Sequence, residues 1–91
     1  MEKARWRLRV HGKVQGVFFR KYAQMTAHSL GLGGFARNEP DGTVLIEVEG
    51  HPEKLELFLK WAHRGSPAAH VTQVEVEKDL SPRQETDFRI G

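Results

Sequence analysis

The stretch RWRLRVH, residues 5–11, alternates without a break. Trp6, Leu8 and Val10 fall on one side of an extended chain, and Arg5, Arg7, Arg9 and His11 fall on the other. Successive side chains of a strand point to opposite faces, so the pattern predicts a strand with one dry face and one basic face. Two later stretches supply the matching acids. In TVLIEVEG, residues 43–50, Val44, Ile46 and Val48 alternate with Leu45, Glu47 and Glu49. Over residues 72–77, Thr72, Val74 and Val76 are expected to point inward, and Gln73, Glu75 and Glu77 outward. A first strand lying between these two would set its arginines beside glutamates on both sides, each opposite-charge pair contributing about 0.2–1 kcal/mol.

Between the strands the periodicity changes. Phe19, Tyr22, Ala23, Thr26, Ala27 and Leu30 recur at helical spacing, with Gly31 as the stop. Residues 34–38 form a short strand candidate, followed by the turn signal EPDG. Pro52 suits the first turn of a second helix, whose buried stripe is Leu55, Phe58, Leu59 and Ala62 and whose end is marked by Gly65 and Pro67. Phe88 and Ile90 suggest a short last strand. Two one-sided helices need one sheet face to cover, so the other face is expected to be open to water. The order strand, helix, strand, strand, helix, strand predicts a ferredoxin-like α+β sandwich, with an antiparallel sheet and both helices on one side.

The chain has 91 residues, 38% of them hydrophobic and 29% charged, which suits one globular domain over residues 1–91. It contains no cysteine, so disulfides, thiolate nucleophiles and thiolate metal sites are excluded. No apolar run approaches the roughly 20 residues of a spanning helix, and the start lacks a signal-peptide pattern. A monomer in a reducing cytoplasm is the expectation. The net charge of +2 leans toward anionic partners without indicating nucleic acid.

The loop GKVQGVFFR, residues 12–20, carries the chemistry. Gly12 and Gly16 permit positive φ, so the chain can curl and turn backbone N–H groups toward a ligand. The amides ahead of a helix have no helical partner and lie at the positive end of its dipole. Arg20 adds a guanidinium, which is not deprotonated in proteins and can grip two oxygens of a phosphate. These residues admit two readings: an anion cradle, or a glycine turn with a solvated arginine. A nucleotide P-loop is excluded, because no Lys-Ser/Thr pair follows the second glycine.

VHGKVQGVFFR, residues 10–20, resembles the signature loop of the acylphosphatases. GFARNEPDGTVLIEVEG, residues 34–50, resembles that family's second signature, which holds its catalytic asparagine. Phe35 and Ala36 stand where many members carry tryptophan and valine, a change of packing beside the asparagine. The resemblance implies a metal-independent, cofactor-free hydrolase that splits an acyl phosphate into a carboxylate and inorganic phosphate, the latter acting as product and inhibitor. It also implies that Gly16, Val17, Phe18, Phe19 and Arg20 bind the phosphoryl group, and that Asn38 orients the attacking water. By position alone, Asn38 reads first as a strand-end residue bonded to its turn, and the resemblance reverses that order.

Other side chains rank lower. His11, on the arginine-bearing face, is a candidate base, and Lys13 could add positive potential for an anion. The five histidines show no metal-ligand spacing. An RNA-binding module is the main alternative, followed by a non-catalytic small-anion domain. RNA-binding sheets stack bases on outward aromatics, and the outward positions of the two central strands hold none.

Overall fold

The computed structural model describes residues 2–91. Its elements are β1 (Ala4–Lys13), α1 (Phe19–Ser29), β2 (Gly33–Asn38), β3 (Val44–Gly50), α2 (Pro52–Arg64), β4 (His70–Leu80) and β5 (Phe88–Ile90). The sheet runs β4-β1-β3-β2-β5, so β1 lies between β3 and β4, where its basic face calls for acidic neighbours. Trp6 pairs with Val48 and Leu8 with Ile46 across β3, while Val10 faces Val74 across β4. Phe19, Ala23 and Ala27 of α1 and Leu55, Phe58 and Ala62 of α2 close over this apolar face. Trp61 links the two helices, its ring 5.1 Å from that of Phe19 and 5.4 Å from that of Phe58. Tyr22, on the predicted stripe, is exposed. Among the described residues no helix is long and apolar enough to cross a membrane.

The structure departs from the alternation in β4. Gln73 lies opposite His11 and Val71 opposite Gly12, leaving Thr72 as the extra residue of a bulge. Thr72 is therefore exposed, and Val71 packs against the core in its place. The sheet is also mixed rather than antiparallel throughout, because β5 joins β2 in parallel.

The second sheet face is not fully open. β4 and β5 occupy opposite edges, four strand spacings apart, or about 19 Å at about 4.8 Å per spacing. The connection, residues 81–87, can span that distance at about 3.3–3.6 Å per residue only by running across the outer face. It covers Arg5, Glu47 and Glu49, which are 1%, 5% and 1% exposed. Arg5 Nε donates to Glu47 Oε1 at 2.9 Å and Nη1 to Glu49 Oε1 at 2.7 Å. Glu85, from the crossing segment, lies 2.6 Å from Arg5 Nη1, and the Arg83 amide donates to Glu49 Oε1 at 2.8 Å. Arg7 completes the cluster by reaching Glu47 and Glu77.

Burial is the largest single influence on Glu47 and opposes its charge, but hydrogen bonds and charge from Arg5 and Arg7 together outweigh it and hold its carboxyl below the ordinary value of 4.5. Glu85 is depressed in the same way, with Arg89 and Arg5 overcoming burial. A carboxyl depressed in the folded state stabilises the fold above its unfolded pKa and loses that contribution as pH falls through the folded value. Urea denaturation should thus give a stability that is flat near neutrality and declines as pH drops below about 4.5. Arg5→Met, which leaves the buried carboxylates without their central cation, should cost about 3–5 kcal/mol at pH 7. A loss below about 1 kcal/mol would show that the cluster does not hold the crossing segment.

Candidate active site

The loop after β1 is pinned from beneath. Val14 and Val17 are buried in the core, and buried Ser66 donates from Oγ to the Val17 carbonyl at 2.8 Å. Gly12 has φ 118° beside the β4 bulge, where a Cβ would collide with the His70 carbonyl, so only glycine fits. Gly16 has φ 73°, and Phe18, the N-cap of α1, has φ 60° and ψ 23°. No side chain caps the helix, and its first turn contains no acid. Among the described residues, none accepts a hydrogen bond from the amides of Gly16, Val17 or Phe18. The amides of Phe19, Arg20 and Lys21 precede the first helical bond, which runs from the Tyr22 N–H to the Phe18 carbonyl at 3.1 Å. A row of free donors thus sits at the positive end of the helix.

Arg20 is half-buried and donates from Nη1 to the Gly91 carbonyl at 2.6 Å. Gly91 is itself fixed, its amide bonded to the Ala36 carbonyl at 2.8 Å. The last residue thus stations the arginine while leaving most of its five donors free.

Asn38 ends β2, opposite Val44. The turn that follows is held by other groups: the Glu39 amide bonds Thr43 O at 2.9 Å, and Asp41 Oδ1 accepts from the Thr43 amide at 3.0 Å and its hydroxyl at 2.6 Å. These bonds, those to the Thr43 hydroxyl first, hold the Asp41 carboxyl below its ordinary range. The Asn38 side chain takes no part in them and bonds nothing among the described residues, which removes the turn-bonding account of this asparagine.

One cleft of about 270 Å³ gathers Gly16, Phe18, Phe19, Arg20 and Asn38. Val17 does not line the cleft, and its side chain is buried in the core. Lys13 does not line the cleft. His11 is on the outer sheet face, paired with Glu75. No group of three or more metal-ligating side chains occurs among the described residues. Lys21 and Ile90 line the cleft without having been singled out in the sequence.

The acylphosphatase family profile matches residues 6–90. The chain belongs to the acylphosphatase family. It is 49% identical over 77 residues to the acylphosphatase of Thermococcus kodakarensis, covering 85% of each chain. It is 44% identical over 85 residues to that of Marinobacter nauticus, covering 93% of this chain and 92% of the relative. The crystal structure of acylphosphatase from Bacillus subtilis superposes with a TM-score of 0.93 at 36% identity, covering 97% and 98% of the two chains.

In this acylphosphatase-family chain one further residue joins the two signature segments. Gln15 Nε2 donates to the carbonyls of Glu39 at 2.8 Å and Thr43 at 2.9 Å, tying the amide loop to the turn beyond Asn38. Gln15→Ala should cost about 1–2 kcal/mol in chemical denaturation. Gln15→Glu should cost more, since a carboxylate would face two carbonyl oxygens with no donor. Equal losses for the two variants would mean that packing, not the amide donor, is what the site uses.

Proposed function

We propose that this hydrolase seats the phosphoryl group of an acyl phosphate on the amides of residues 16–20 and the Arg20 guanidinium, while Asn38 orients the attacking water. The supporting observation is the convergence, in one cleft, of unpartnered amides, a stationed arginine and an asparagine side chain that its own turn does not use. Water oxygen bonds to phosphorus, the bond from phosphorus to the acyl oxygen breaks, and the carboxylate departs with the electron pair. The water proton passes to a phosphoryl oxygen, and inorganic phosphate remains as product and competitive inhibitor.

The groups in the cleft suffice for this chemistry. The leaving group is a carboxylate, with an acidity near that of Asp or Glu, about 4, and so departs without a strong general acid. Phosphoryl transfer passes through a loose transition state whose charge lies on the equatorial oxygens, so fixed donors can supply most of the stabilisation. One preorganised donor contributes about 10²–10³ in rate. Asn38 offers both a donor and an acceptor, which holds a water in place without removing its proton.

A monomer acting in the cytoplasm, on a small anionic substrate and not on nucleic acid, is the setting we propose. The lack of cysteine suits a reducing compartment. The outer sheet face, the platform an RNA-binding module would need, is partly covered by residues 81–87 and its charges are paired.

Incubation with acetyl phosphate or benzoyl phosphate should give turnover that persists in EDTA and is competitively inhibited by phosphate. Arg20→Gln should weaken phosphate inhibition and lower kcat/KM by about 10²–10³. Asn38→Ala should lower kcat at least about tenfold while changing the phosphate inhibition constant little. An Asn38→Ala protein as fast as the parent would sink the water-orienting role.

A further inference from the structure

The cleft holds polar groups in Arg20, Lys21 and Asn38, but Val14, Phe18, Phe19 and Ile90 make part of its wall apolar, and one of these is unusual. Phe18 is 76% exposed, the most exposed of the large apolar side chains among the described residues. Its backbone is left-handed, at φ 60°, a conformation that costs a non-glycine residue about 1–2 kcal/mol. Glycine would make the same turn without strain. The ring also does nothing for the core, since Phe19 is the buried aromatic at this helix start. A bulky side chain that strains its backbone and covers no part of its own fold is explained by what it meets from outside.

Ile90 stands on the same cleft. It lies opposite Ala36 in the core-facing row of β5, two residues beyond buried Phe88, yet it is 39% exposed because that row opens at the cleft. An acyl phosphate is charged at one end only. With its phosphoryl oxygens on the amides and the guanidinium, the acyl group must leave that donor set and meet the walls. We infer that Phe18 and Ile90 form an acyl subsite that favours acyl phosphates bearing an aromatic or branched apolar acyl group over small ones such as acetyl phosphate. The inference rests on the reading of the amide loop as the phosphoryl site.

The test compares kcat/KM for benzoyl phosphate and acetyl phosphate in the parent and in Phe18→Gly, Phe18→Tyr and Ile90→Ala. Taking each variant's ratio relative to the parent cancels the intrinsic reactivity of the two anhydrides. Loss of one apolar wall should lower the benzoyl-to-acetyl ratio about tenfold in Phe18→Gly, the scale expected for a hydrophobic pocket contact, and several-fold in Ile90→Ala. Phe18→Tyr, which keeps the ring, should retain the parent ratio. Competitive inhibition by inorganic phosphate reports whether the cradle is intact in each variant, and if Phe18→Gly no longer binds phosphate, Ile90→Ala decides. An unchanged ratio in variants that still bind phosphate overturns the acyl subsite and leaves the phosphoryl site standing. If the parent neither turns over either substrate nor binds phosphate, both readings fail together.

Discussion

The position of Arg5 governs more of this molecule than any other single interaction. Its guanidinium is buried under residues 81–87 and holds together Glu47 and Glu49 of β3 and Glu85 of the crossing segment. That segment leads directly into β5, and β5 is followed by Gly91, whose backbone oxygen receives the Arg20 guanidinium. A charge cluster on the far side of the sheet therefore sets where the cleft arginine can stand. The link is continuous: sheet charge to crossing segment, segment to last strand, last strand to cleft.

Such a cluster is an expensive way to anchor a segment. Moving charges out of water costs several kcal/mol per ion, and a well-packed apolar set of similar volume often serves stability better. Here the compensation is incomplete: Arg5 Nη2 and Glu49 Oε2 are buried without hydrogen-bond partners among the described residues, and Glu85 Oε1 meets only the Arg5 charge. What the ionic solution provides is direction. A bare apolar strap could slide along the strands at little cost, whereas an arginine bonded to two carboxylates on β3 and near a third on the strap admits one register. Precise placement of Gly91 is what the cleft requires, so register matters there more than net stability.

The alternation of residues 5–11 and the acids of residues 43–50 made the place of β1 legible before any coordinates, because period-two patterns and opposite charges are local facts. The burial of Glu47 and Glu49 was not legible. An acidic strand face looks the same in sequence whether water or a crossing segment lies over it, and the crossing follows only once β4 and β5 are known to sit at opposite edges. The bulge at Thr72 was hidden for a similar reason, since residues 72–77 fit an unbroken alternation and the slip occurs opposite Gly12 on the neighbouring strand. In the cleft, Gly16 and Arg20 stood out as residue types with a use for anions, and Asn38 only through the resemblance of residues 34–50 to the acylphosphatase signature. Gln15 and Ile90 did not, because each works through a segment distant in sequence: Gln15 through carbonyls 24 and 28 positions on, and Ile90 through a strand order that places its row at the opening.

The same distinction explains how a chain of net charge +2 can concentrate unmatched cationic side chains at one cleft. Arg5, Arg7 and Arg9 contribute little to the outside field, because Arg5 and Arg7 are matched by carboxylates of the sheet and Arg9 by Glu39 and Asp41 of the turn between β2 and β3. No Asp or Glu side chain pairs with Arg20 or Lys21 among the described residues, and α1 has no acid in its first turn. Two unit charges 4 Å apart interact by about 1 kcal/mol in bulk water but by about 4 kcal/mol at the effective dielectric of a protein surface. On the proposed reading, apolar side chains beside the cleft would strengthen the hold on a phosphoryl group as well as meet an acyl chain. The donors are backbone amides pinned by Val14, Val17 and Ser66, and they need not reorganise as charge develops on the phosphoryl oxygens. On that reading, rigid donors suit a cleft that holds no histidine, in a chain whose described residues form no metal-ligating cluster, for a reaction whose leaving group departs unaided.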